Sequence, residues 1–305
     1  RKLIEYNHFH GFCRDFLKEN GIEWVTMDQD TDTLLNITVP NLVLSAMKSG
    51  TNAKNRSYDA ILIDEGQDYL PLWYEALCTF LSKNDEVLLV SDPGQNVYRR
   101  NLELQDAKFD RLKVMQRSYR LPGRVREQAE RFAQAFFPDM YIHNEPIQMG
   151  FEDPLLIWRE IDSLDNVLPR LHSALFWLMS EKQVHVSDVT ILVPDHHEGR
   201  LISNFFRSRN LEINHIFENS NDTHGRKSTF EMGVGKLKIC TAHSFKGWEL
   251  SNIVILTPTD DQAAQGGTWS HHLFYAAITR VKQNLIVFNR FEGYRDYGSV
   301  WHQFD

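Results

Sequence analysis

Seven short apolar runs alternating with amphipathic stretches leave this chain little choice of fold. The runs are "AILID" (60–64), "EVLLVS" (86–91), "LLIW" (155–158), "VTILVP" (189–194), "KLKIC" (236–240), "NIVIL" (252–256) and "NLIVF" (284–288). Residues 70–82, 123–137, 165–180, 198–209 and 271–281 instead place apolar side chains three and four apart, the helical period. Strands that alternate with helices predict α/β units with parallel sheets. A length of 305 residues suits one large or two medium domains. The boundary is expected near residue 110, where the second strand's unit ends and an arginine-rich stretch begins, giving domains 1–110 and 111–305.

Several classes fall away on composition. No apolar run is long enough to cross a bilayer and no signal peptide is visible, so a cytoplasmic setting and no membrane partner are expected. Cys13, Cys78 and Cys240 are too few and too scattered for a disulfide framework or a zinc knuckle. A formal net charge of -8 opposes a broad basic face for duplex nucleic acid. It leaves room for a local cationic groove, and Lys113, Arg117, Arg120, Arg124, Arg126 and Arg131 crowd into one stretch.

The strand "AILID" carries the chemistry. Its run continues as "DAILIDEGQD" (59–68), where Asp64, Glu65 and Asp68 place three carboxylates within five positions. Such a cluster is unfavourable unless a cation sits among it, and a metal ion is the obvious candidate. A strand ending in Asp then Glu matches a Walker B element, in which the Asp holds Mg²⁺ and the Glu orients or deprotonates the attacking water. The plain alternative is an acidic turn whose Asp68 caps a helix starting near Leu70. After the next strand, "LLVSDPGQNVYRR" (88–100) again ends in an acidic turn, followed by Gln95. In isolation its "DPGQ" (92–95) is a β-turn.

The pair "DEGQD" and "SDPGQNVY", followed in order by "QRSYRLP" (116–122), "TAHSFKGWEL" (241–250) and "FYAAITRVKQNLIV" (274–287), resembles the motif set of superfamily 1 helicases of the UvrD/Rep/PcrA type. The resemblance spans residues 59–288, and "NHFHGF" (7–12) is similar to the segment that precedes these motifs in the family. It implies two RecA-like parallel-sheet domains, the first truncated at its N-terminus. ATP and Mg²⁺ would be the cofactors, bound at the interdomain cleft, and single-stranded DNA the partner, with RNA also open. By the same resemblance Asp64 would bind Mg²⁺, Glu65 would activate water and Gln95 would report on the γ-phosphate. Tyr119 would stack on adenine and Arg120 would reach the γ-phosphate. Gly247 would let the backbone approach phosphate, Glu249 would accept from the ribose hydroxyl, and Arg280 would serve as the arginine finger. Tyr98, Thr241 and His243 would touch the nucleic-acid strand. At Arg100 relatives usually have an aromatic residue, so phosphate contact would replace stacking there.

Two departures qualify that picture. No GxxxxGK[ST] loop occurs in the 305 residues, and the first is Arg1 rather than Met. A fragment is therefore expected, inactive alone, its Walker A loop either lying upstream or never present, with room upstream for a nuclease or other domain. The 2B insertion of larger relatives is expected to be absent or reduced to the loop at 217–235. A non-catalytic nucleic-acid-binding or scaffold protein derived from the same fold is the alternative. A metal-dependent nuclease using Asp64, Glu65 and Asp68 is a third reading, and it leaves the arginines unexplained.

Overall fold

The computed structural model describes residues 4–24, 30–49, 56–98, 100, 111, 113, 115, 117–118, 121–137, 145–146, 154–162, 164–217, 235–245, 248, 250–264 and 269–301. The chain divides into two compact units, Arg1–Lys113 and Val114–Asp305. The fold class is α/β, and every strand pairing among the described residues is parallel. No helix among them is long and apolar enough to cross a membrane.

In the first unit, α1 (Phe9–Glu19) buries Phe9, Phe12, Cys13, Phe16 and Leu17 along one stripe. A π-helical turn at Leu34–Thr38 runs into α2 (Val39–Ser49), which buries Val39, Val43 and Leu44. The third helix, α3 (Pro71–Cys78), opens on a proline, whose missing N–H costs nothing at that position. These helices share one core with Phe80, against which the Phe12 and Phe16 rings pack edge-on at 4.9 and 4.8 Å. The strands β1 (Tyr58–Ile63) and β2 (Leu81–Leu89) flank α3 and pair in parallel, Ile61 opposite Val87 and Ile63 opposite Leu89. Ile63 is buried, whereas Leu62 and Leu88, which pair on the other face, are 74% and 56% exposed. Parallel strands are ordinarily covered on both faces. Among the described residues this sheet is covered on one.

The second unit is built on six parallel strands: β5 (Leu156–Glu160), β6 (Val189–Val193), β7 (Ile213–His215), β8 (Leu237–Thr241), β9 (Leu250–Leu256) and β10 (Val281–Asn289). Their order across the sheet is β5, β10, β9, β6, β8, β7. A separate two-residue pair joins β3 (Arg117–Ser118) to β4 (Glu145–Pro146). Every residue of β6 and β8 is buried, which requires cover on both faces. Four helices supply it: α4 (Gly123–Phe136), α5 (Leu164–Ser180), α6 (His196–Arg207) and α7 (His271–Ile278). Phe132 of α4 meets Phe274 of α7 at 4.9 Å, and Tyr297 closes the cluster by donating its hydroxyl to the Gln128 carbonyl at 2.9 Å.

Two helices end earlier than their apolar period predicts, and the strands after them start earlier. The helix expected over 70–82 stops at Cys78, and the one expected over 271–281 stops at Ile278. A threonine follows each. Thr79 Oγ1 donates to the Ala76 carbonyl at 2.7 Å, and Thr279 Oγ1 to the Tyr275 and Ala276 carbonyls at 3.0 and 3.1 Å. These bonds compete with the backbone ladder and close the helix. The loop expected at 217–235 lies almost wholly outside the described residues.

Candidate functional site

In the first unit the carboxyl ends of β1 and β2 lie side by side, so the loops that follow them meet. Ile63 is the last buried residue of β1, and Asp64 emerges exposed beyond it. Val90 donates its N–H to the Ile63 carbonyl at 2.8 Å, and Gly66 donates to the Val90 carbonyl at 2.7 Å, pinning the first loop to the second. A Cβ at Gly66 would stand 2.4 Å from the Leu89 side chain, so a side chain there would force Leu89 aside.

Glu65 takes up this close approach in its backbone, at φ 51 and ψ 46 in the left-handed region. That conformation costs a residue other than glycine about 1–2 kcal/mol and persists only where the surroundings impose it. Asp64 Oδ1 accepts the Glu65 N–H at 2.9 Å. Gln67, buried, donates from Nε2 to Glu65 Oε2 at 2.6 Å and accepts the Asp92 N–H on Oε1 at 2.9 Å. Asp92 caps the short turn Pro93–Gln95, with Oδ1 on the Gly94 N–H at 3.0 Å and Oδ2 on Gln95 Nε2 at 2.7 Å. The two acidic loops are thus one hydrogen-bonded unit. Asp68 does not cap α3, which starts after Leu70 with no side-chain cap.

No group of three or more His, Cys, Asp or Glu residues among the described residues is placed to hold a metal ion. Asp64 and Glu65 nonetheless offer the hard oxygen donors that suit Mg²⁺, which is bound through one or two carboxylates and otherwise keeps water and phosphate oxygens. The donor set fits that ion and is too sparse for zinc.

Beside these loops runs a line of flat groups. Phe9 stacks on Trp73 at 4.7 Å with 12° between the rings. The Arg100 guanidinium lies over the Trp73 ring at 4.4 Å and over the Tyr98 ring at 5.1 Å, and its Nη1 donates to the Asp68 carbonyl at 2.7 Å. Tyr98 is 48% exposed at the outer end. Desolvation raises its phenol above the ordinary value, with Asp68 adding to the rise and Arg100 opposing it. In this arrangement Arg100 is turned inward upon the ring system.

In the second unit Thr241 ends β8, buried, its Oγ1 3.1 Å from Ser244 Oγ, and half-buried His243 lies in the same turn. Arg280 is buried at the start of β10, and its carbonyl accepts the N–H of Leu250, the first residue of β9, at 3.1 Å. Thr241 and Arg280 therefore occupy opposite ends of parallel strands. The six steps of β9 span about 20 Å at roughly 3.3 Å per residue. Tyr119, Arg120, Gly247 and Glu249 lie outside the described residues.

A buried polar network that sequence reasoning missed seals the carboxyl ends of the strands near β6, β9 and β10. Arg290 Nη2 donates to Glu198 Oε2 at 2.7 Å and to the Thr257 carbonyl at 2.8 Å. Gln262 Nε2 bridges Asp195 Oδ2 and Glu198 Oε1, both at 2.9 Å. Asp195 also caps α6 through the Glu198 N–H at 2.8 Å, so the "DHH" at 195–197 is a helix start. Gln67, part of the "DEGQD" motif, makes bonds to Glu65 and Asp92 that the sequence does not reveal directly. Its place two residues after Glu65 is the signal for them.

Residues 27–105, which hold both acidic loops, match the family model of the UvrD/REP helicase N-terminal domain. The motifs "DEGQD" and "SDPGQNVY", which resemble those of UvrD-like superfamily 1 helicases, both fall within the matched residues. Among solved structures, the chain is similar to the C-terminal domain of a possible DNA helicase from Lactobacillus plantarum WCFS1. The two share 11% identity at a TM-score of 0.37, over 57% of this chain and 89% of that one. No curated protein matches the chain.

Proposed function

We propose that these residues belong to an ATP-dependent translocase that moves along single-stranded DNA. The observation that carries the reading is the hydrogen-bonded union of the two acidic loops, with Glu65 held in a left-handed backbone at its centre. Strain of that kind is retained where a side chain must be aimed.

On this reading Glu65 takes the proton of the attacking water, Asp64 holds Mg²⁺, and Gln95 contacts the γ-phosphate once it leaves Asp92. The ion, when bound, offsets charge on the phosphate oxygens. Arg280 is the cation that stabilises the transferring phosphoryl group, while Tyr119, Arg120, Gly247 and Glu249 complete the nucleotide contacts. Tyr98, Thr241 and His243 meet the strand, and Arg100 braces the Tyr98 ring from the inner side. The roughly 20 Å between the ends of the strands in the second unit suits one end to nucleotide and the other to nucleic acid. Residues 1–305 contain no GxxxxGK[ST] loop and are proposed to hydrolyse ATP poorly by themselves.

The test is DNA-stimulated ATP hydrolysis by the full-length protein. Arginine fingers contribute about 10³–10⁵ in rate, so Arg280→Ala should lower kcat on that scale. Removing the base by Glu65→Gln should cost about 10²–10⁴. Undiminished turnover in both variants overturns the proposal, and a full-length protein that binds DNA without any hydrolysis points to a non-catalytic binder.

A further inference from the structure

We infer that Gln67 is a positioning residue that sets the Glu65 carboxylate from the Asp92 turn, an inference that rests on Glu65 being the base proposed above. Gln67 is 5% exposed and both ends of its amide are committed, to Glu65 Oε2 at 2.6 Å and to the Asp92 N–H at 2.9 Å. The partners fix which way the amide points: an ionised carboxylate only accepts and a backbone N–H only donates. The bond to Glu65 is charge-assisted, the stronger kind.

Few other side chains satisfy both ends. Glutamate keeps the acceptor for Asp92 but turns a second negative charge on Glu65. Methionine fills the space and makes neither bond. Asparagine is one methylene short of the span.

The consequence reaches beyond Glu65. Asp92 also holds the Gly94 N–H at 3.0 Å and Gln95 Nε2 at 2.7 Å. A chain of side-chain and backbone bonds therefore runs Gln95, Asp92, Gln67, Glu65. When Gln95 releases Asp92 to meet a phosphate, the turn that anchors Gln67 is freed to shift, and the base shifts with it. Gln67 thereby couples occupation of the phosphate site to the aim of the base.

The experiment measures steady-state, DNA-stimulated ATP hydrolysis by the full-length protein for Gln67→Glu and Gln67→Met, with Glu65→Gln as reference, between about pH 6 and pH 8. A base misplaced by about 1 Å loses on the order of 10²-fold. Both Gln67 variants should lose about 10- to 100-fold in kcat with KM for ATP nearly unchanged. A merely structural role would raise KM for ATP or lower the melting temperature along with kcat, and melting curves report folding separately. Wild-type turnover in Gln67→Met, or a loss of kcat matched by a rise in KM for ATP or a fall in melting temperature, overturns the inference. Wild-type turnover in Glu65→Gln instead overturns the assignment of the base.

Discussion

Arg290 Nη2 donates to Glu198 Oε2 across 2.7 Å, with only 2% and 5% of the two side chains exposed. Desolvating two charges is costly, and the pair is favourable only because each is also bonded elsewhere: Arg290 to the Thr257 carbonyl, Glu198 to Gln262. The network joins the ends of three strands to the first turn of α6.

Breaking the pair from one side is expected to be severe. Glu198→Ala leaves a buried guanidinium uncompensated and should destabilise the second unit by about 3–5 kcal/mol in urea unfolding. Replacing both partners by apolar residues, Glu198→Leu with Arg290→Met, should cost less than either single change. Additive losses would show that the two charges do not stabilise one another.

A steric prediction concerns Gly298. A Cβ there would stand 2.1 Å from Cε2 and Nε1 of Trp158. The ring has little room to retreat, since its Nε1 donates to Glu160 at 2.6 Å and it packs on Trp301 at 5.2 Å. Gly298→Ala should therefore destabilise by at least about 1–3 kcal/mol, the ordinary cost of overpacking. A melting temperature equal to wild type would mean that the chain around residue 298 shifts freely.

The line from Phe9 through Trp73 and Arg100 to Tyr98 predicts how a strand would be held. Tyr98→Ala should weaken single-stranded DNA binding by about 1–3 kcal/mol, the usual contribution of one stacked base. Arg100→Ala should lower the melting temperature and loosen Tyr98, yet leave the salt dependence of binding unchanged, because its guanidinium is engaged by Trp73 and Asp68. A slope smaller by about 0.7 would show that Arg100 meets a phosphate after all.

What is legible in the sequence follows from range. Seven of the strands and the acidic loops show because apolar runs and turn residues act over a few neighbouring positions, and Asp64 and Glu65 follow directly from the end of β1; the three-residue β7 and the two-residue pair at 117–118 and 145–146 are too short to leave a pattern. The helix ends at Cys78 and Ile278 do not show, because a threonine hydroxyl rather than the apolar period decides them. Gln67 meets Asp92 across 25 positions and Glu198 meets Arg290 across 92. No local pattern encodes such pairings. The π-helical turn before α2 escapes for the same reason, since its neighbours are brought by the fold.

His10 supplies a pH dependence whose sign can be worked out. Its Nε2–H donates to the Leu35 carbonyl at 3.0 Å, and its ring meets Trp73 edge-on at 4.6 Å. Burial holds its pKa below the ordinary 6.5; the Leu35 carbonyl opposes the shift, while Arg100 and His8 add to it. The unfolded chain therefore takes up a proton near pH 6.5 that the folded unit still refuses. Unfolding is favoured by acid in that window: the contribution is complete above about pH 6.5 and is lost as pH falls through it toward the lower folded value. His10→Gln keeps an N–H for Leu35 and has no proton to gain. Urea midpoints of the first unit, compared between about pH 5.5 and 7.5, should fall less steeply toward acid in the variant than in wild type. Identical slopes would mean that His10 is protonated in the folded unit over the same range, and that the Leu35 carbonyl outweighs burial.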